Sequence, residues 1–186
     1  MKSLNISYFS PYKFLNALFL GLSVGAIFTL YRPLEPSIYS LGGIVLALGM
    51  LLIAQLYNTI LTLSWFYKIS MFVEVVLLNV VIYFLVFSYN YQSALIVYIG
   101  YQVTFIFGSY LVRAETLFLK SSKQLKKIDT AKQLGYLLGM LLSYLFYKIL
   151  ALFDINSPEE TVYLLHYFLL IIQSIIIYLV HKSFVK

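Results

Sequence analysis

Six apolar stretches of about 20 residues, almost free of charge, leave this chain few ways to fold. They are Phe14–Tyr31, Ser37–Tyr57, Ile69–Ser88, Ser93–Val112, Leu134–Phe153 and Thr161–Val180. At a rise of about 1.5 Å per residue, such a stretch in helical form matches a hydrocarbon core of about 30 Å. The runs are continuous Leu, Ile, Val and Phe with internal glycines, whereas a membrane barrel strand alternates apolar and polar residues over about ten positions. A helix also pairs its own backbone groups, as lipid requires. The sequence therefore predicts an all-α, polytopic six-helix bundle, a single transmembrane domain over residues 1–186. Composition agrees, with 62% hydrophobic and 11% charged residues against about a quarter charged in soluble domains.

Charge predicts the threading. The one long polar interval inside the chain, the loop Arg113–Gln133 (RAETLFLKSSKQLKKIDTAKQ), carries Arg113, Lys120, Lys123, Lys126, Lys127 and Lys132, six of the 13 Lys and Arg. Short loops rich in Lys and Arg resist translocation and mark the cytoplasmic side. Six spans put both termini on one side. With the termini inside, Lys2, Lys13, Lys68, the six loop residues, Lys182 and Lys186 are cytoplasmic, leaving only Arg32 and Lys148 outside. Glu35, Asp154, Glu159 and Glu160 then all fall outside. The expected location is the cell (inner) membrane, multi-pass, with cytoplasmic termini. Met1–Lys13, with Tyr8, Phe9 and Tyr12, reads as a retained amphipathic lead lying in the interface, since it lacks the apolar core and cleavage site of a signal peptide.

The net charge of +6 points to anionic lipid headgroups rather than nucleic acid, for which no binding module is present. Lys120, Lys123, Lys126 and Lys127 are the candidate headgroup contacts, with Leu117, Leu125 and Ile128 at helical spacing among them. The absence of cysteine removes disulfides and thiolate chemistry. No Walker A loop, G-x-S-x-G, H-E-x-x-H, dinucleotide turn or pair of carboxylates for acid-base work is present, so ATP hydrolysis, other enzymatic activity and a cofactor are not expected. A metal site is not expected either, because His166 has no second ligand at suitable spacing.

Small residues recur every fourth position in Ala17-xxx-Gly21-xxx-Gly25, Gly43-xxx-Ala47 and Gly135-xxx-Gly139-xxx-Ser143, a pattern that lets membrane helices pack closely. In the fourth span, Tyr98, Gln102, Ser109 and Arg113 share one stripe while Gly100, Thr104 and Gly108 share the opposite one. Polar groups in a span usually face the bundle or a wet cavity, which makes Tyr98 and Gln102 candidates for a solute path. His166 and Gln173 share a face of the sixth span and join them. Glu74 is the only carboxylate inside a predicted span. It is a candidate proton-coupling group, with a structural pairing to Lys68, Arg113 or an interfacial water as the alternative.

The segments GSYLVRAE and KQLGYLLGMLLSYLFYKIL, on either side of a basic connection, resemble the fourth-to-fifth-helix region of one six-helix half of a major facilitator superfamily transporter. The resemblance implies two inverted three-helix repeats with the first and fourth helices lining a central cavity. Asn16 and Ser23 on the first span would then join Tyr98 and Gln102 as cavity positions. It also implies a homodimer or a partner membrane subunit, and an unknown small solute. Where that family carries an acidic residue and arginines, NTILTLSWFYKIS has neither. Two alternatives stand beside this one. A substrate-binding subunit of an energy-coupling-factor importer would dock its partner on Ala17, Gly21 and Gly25; a non-transporting inner-membrane scaffold would suit the scarcity of charge in the spans.

Overall fold

The computed structural model describes residues 3–87 and 89–185, with the side chain of Val185 outside the description. Lys2 and Lys186 of the predicted cytoplasmic set, and Ser88 at the end of the third predicted span, lie outside the described residues. The elements are β1 Ser3–Leu4, α1 Ile6–Leu30, α2 Pro36–Gln55, α3 Tyr57–Ile60, α4 Leu63–Val86, α5 Tyr91–Ile106, α6 Gly108–Phe118, α7 Ser122–Leu152, α8 Pro158–Ser183 and β2 Phe184–Val185. With α5 and α6 taken together, six helical segments are long and apolar enough to cross a membrane. The chain is an all-helical bundle, compatible with a multi-pass membrane protein.

Helix starts follow local side-chain chemistry. Asn5, Thr62, Ser121 and Ser157 each accept a hydrogen bond from a first-turn N–H, and Asn90 forms a reciprocal capping box with Ser93, which answers donors the helix cannot satisfy itself. α7 ends in a Schellman turn in which Ile155 N–H donates to the Leu150 carbonyl at 3.1 Å. That turn places Asp154 at φ 61°, in the left-handed region usually filled by Gly.

Three expectations change. The interval Arg113–Gln133 is not an open loop. Its first residues finish α6, Leu119–Ser121 make the connection, and the remainder starts α7. Ser121 caps that helix, and of the apolar positions expected on a membrane surface Ile128 is fully buried with Leu125 packed beside it, while Leu117 stays exposed. At 31 residues α7 measures about 46 Å, longer than a bilayer core of about 30 Å. The predicted fourth span is two helices, broken at Phe107. There the Thr104 hydroxyl donates to the Tyr101 carbonyl at 2.7 Å, offering the backbone a local alternative to the helical ladder. Finally, the N-terminal lead is not a segment separate from the first span. From Ile6 it is the first part of α1, where Phe9 packs edge-on against Tyr12, Phe66 and Phe184 and Lys13 is buried.

The chain ends meet. β1 pairs antiparallel with β2, and Asn5 N–H donates to the Ser183 carbonyl at 2.8 Å. This end also holds Lys120 in the α6–α7 connection and Lys123, Lys126 and Lys127 in the first turns of α7, and Tyr67 hydrogen-bonds His181 there at 3.1 Å. At the other end Arg32 reaches Glu159 at 3.7 Å and the Tyr89 hydroxyl donates to the Thr29 carbonyl.

Packing is tightest between α1 and α7, where two of the predicted small-residue stripes face each other. A Cβ on Gly21 would collide with the Tyr136 carbonyl, one on Gly135 with that of Phe14, and one on Gly139 with that of Leu18. Only glycine admits this backbone-to-backbone approach. α8 packs on α1 and α4, and α5 on α4 and α2. Exchanging the first three spans for the last three maps these neighbours onto one another: α1–α7 onto α5–α2, α1–α8 onto α5–α4, and α4–α8 onto itself. The two halves are unequally filled, since α2 has no fully buried residue and a Cβ added at Gly43 would meet no other part of the protein within 4 Å.

The close approach predicts a contrast. Gly139→Val should cost on the order of 3 kcal/mol through overpacking and lower the melting temperature in detergent. Gly43→Ala should leave it unchanged or slightly higher. Equal tolerance at both positions would place α7 away from α1.

Candidate functional site

Glu74 lies in the inward stripe of α4, among Ser70, Val73, Leu77 and Val81, and is 1% exposed. A carboxylate there needs partners from other helices, because a buried unpaired charge costs several kcal/mol. Tyr12 and Asn16, four residues apart and therefore on one face of α1, supply two. The Tyr12 hydroxyl and the Asn16 amide both donate to Glu74 Oε1 at 3.0 Å. From α8, Gln173 Nε2 donates to Glu74 Oε2 at 2.8 Å and to the Glu74 backbone carbonyl, also at 2.8 Å. Both Gln173 N–H groups are used on one residue. Its own Oε1 is buried with no partner. All the donors to Glu74 are neutral, and among the described residues no cation lies within ion-pair distance of it.

A second buried cluster adjoins the first. Lys13 Nζ lies 2.8 Å from Glu115 Oε2 on α6, and Lys132 of α7 ion-pairs with the other carboxylate oxygen. Lys132 is also 3.4 Å from Asp129. Lys13 and Glu115 are buried while Lys132 is partly exposed, so paired charges run from the surface inward. Lys13 Nζ stands 5.0 Å from the centre of the Tyr12 ring, a cation–π contact. Tyr12 thus touches both clusters, with its ring under an ammonium and its hydroxyl on Glu74.

Of the predicted solute-path residues, Asn16 and Gln173 meet at Glu74 and the others do not. Ser23 turns its hydroxyl to the Leu20 carbonyl at 3.0 Å. His166 donates from Nδ1 to the Val162 carbonyl at 2.7 Å and stacks 4.1 Å from Phe84. Tyr98 packs edge-on against Tyr31 and Tyr39, in space that Gly42 leaves for its hydroxyl. Gln102 lines a lateral apolar groove between α2 and α5, its Oε1 buried and unpartnered. Neither Lys68 nor Arg113 pairs with Glu74; Lys68 instead stands 4.7 Å from the Trp65 ring centre. Lys120, Lys123, Lys126 and Lys127 are exposed. Among the described residues no three His, Cys, Asp or Glu gather as a metal site.

No protein family, curated protein or solved structure matches this chain. The site must speak for itself.

Sequence reasoning missed Tyr12 because the first apolar run was begun at Phe14, although the Tyr12–Asn16 spacing was available. It missed the ion triad because Glu115 was assigned to a loop. That Glu115 is one of two acids, with Asp129, among six basic residues of this interval is the usable signal.

The shared acceptor predicts coupling. Tyr12→Phe and Glu74→Gln should each destabilise the protein, and the double variant should fall short of their sum by about 1 kcal/mol, the scale of intramembrane hydrogen bonds. Additive losses in the same unfolding assay would show that the two side chains do not interact.

Proposed function

We propose that the protein is an integral membrane protein, threaded with both termini in the cytoplasm, that moves a small solute in exchange for or together with protons taken up at Glu74. It acts as a dimer or with a partner subunit. The observation that carries this is the Glu74 carboxylate, fully enclosed between α1, α4 and α8 and held only by neutral donors. An ionisable group of this kind inside a span is a functional candidate by default. The packing pattern that repeats between the first and last three spans supports the inverted-repeat architecture of secondary transporters.

Protonation changes what the site can bond. When ionised, both Glu74 oxygens accept. When a proton binds Oε2, that oxygen becomes a donor and no longer suits Gln173 Nε2. Rotating the Gln173 amide by half a turn brings its unpartnered Oε1 to accept from the carboxyl, and withdraws the donor from the Glu74 backbone carbonyl. One proton thereby exchanges the hydrogen bonds between α4 and α8, a two-state element of the kind alternating access needs.

One observation favours a second reading, a subunit of a larger membrane assembly: α2 has no fully buried residue within the chain. On the docking face of the energy-coupling-factor alternative, Gly21 lies against the α7 backbone while Gly25 stays exposed.

Purified protein in liposomes holding a pH-sensitive dye should acidify or alkalinise the lumen when a transported solute from a metabolite panel is added outside. Glu74→Gln should abolish the solute-driven proton flux by tenfold or more while keeping a normal helical spectrum, with one proton-coupled step removed. Undiminished flux in that variant would remove Glu74 from the mechanism. Silence across the panel, with copurification in a fixed complex, would instead support the assembly subunit.

A further inference from the structure

At the basic end a cavity of about 410 Å³ opens where β1, the start of α1, the first turn of α4, the end of α6 and the first turn of α7 converge. Leu4, Ile6, Leu63 and Phe118 form its apolar wall, and Lys120 and Gln124 stand among its polar lining. Among the described residues no carboxylate lines it. Among the described residues Lys120 has no acidic partner within 4 Å, unlike Lys13 and Lys132, which share Glu115. Lys120 also precedes Ser121, the N-cap of α7, whose first-turn dipole favours an anion.

We propose that this cavity binds one anionic phospholipid. Its phosphate sits between Lys120 and Gln124, with Lys120 Nζ as ion partner and the Gln124 amide as donor, and the glycerol and upper acyl chain lie along Leu4, Ile6, Leu63 and Phe118. The volume falls in the range of specific small-molecule sites, about 300–1,000 Å³. Two features together favour a lipid over a soluble phosphate. The wall is apolar, so a free anion there would give up water without compensation, whereas an amphiphile buries its chain against that wall. The cavity also lies at the end of the bundle where the chain ends pair, and the ends of a spanning bundle are the parts that face headgroups. The bound lipid joins β1, α4, α6 and α7, the elements that close this end of the fold. The site is independent of proton coupling at Glu74.

Native mass spectrometry of the full chain, delipidated in detergent, tests this with phosphatidylglycerol and phosphatidylcholine of identical acyl chains. One phosphatidylglycerol should be retained about fivefold more tightly than phosphatidylcholine, the share of one Lys at an anionic surface. Lys120→Ala should erase the difference, and Lys126→Ala, which does not line the cavity, should preserve it. Lys120→Gln provides the same charge removal with the side-chain length kept, should the alanine variant misfold. Equal losses in the Lys120 and Lys126 variants would reduce the effect to diffuse attraction by the basic surface. Equal retention of the two lipids, or displacement of phosphatidylglycerol by an equal concentration of inorganic phosphate, would overturn the proposal.

Discussion

A carboxylate set into an apolar helix stripe obliges the helices around it to supply donors, and the centre of this bundle is arranged to meet that obligation. Glu74 is reached from α1 by Tyr12 and Asn16 and from α8 by Gln173. Each of these side chains would be costly if left unpaired in an apolar core, so the four polar residues fix the rotation of three helices about their own axes. The neutrality of the donors matters as much as their number. Had a lysine answered Glu74, the pair would read as a structural ion pair. The cation next to Tyr12 in sequence, Lys13, is instead taken by Glu115. Charge compensation and the lone carboxylate are thus kept on two sides of Tyr12.

The rest of the fold separates rigidity from openness. α1 and α7 approach until only glycine fits between their backbones, which anchors the helix carrying Tyr12, Lys13 and Asn16. The equivalent contact in the other half, α2 on α5, is loose: Tyr98 and Ile106 fill the space beside Gly42 and Gly49, and Gln102 faces a groove with an oxygen unanswered. A bundle with one locked pair and one loose pair has its compliance on one side. The break at Phe107 between α5 and α6 adds to that compliance.

Much of the architecture was legible because lipid-sized apolar runs and glycine spacing are strong, local signals. The facing stripes Ala17-Gly21-Gly25 and Gly135-Gly139-Ser143 could be named as packing surfaces from sequence, although not as partners of each other. At the site, Glu74, Asn16 and Gln173 could be singled out as polar residues in spans, yet which of them meet depends on helix rotation and neighbour order. Tyr98, Gln102, His166 and Ser23 carried the same sequence signal and lie elsewhere. The basic interval misled in a simpler way. Lys, Gln and Leu are good helix formers, Ser121 provides a cap, and a stretch that looked like a loop by polarity extends α7 instead.

The central claim is that Glu74 changes protonation as the protein works, and difference infrared spectroscopy of the protein in a lipid film tests it most directly. Stepping the pH across the physiological range, or adding a transported solute at constant pH, should interconvert the protonated carboxyl and ionised carboxylate bands of one buried glutamate. The signal should be absent in Glu74→Gln and shifted in Gln173→Leu. A Glu74 band that stays in one form through both treatments, in protein that still moves its solute, would contradict the account.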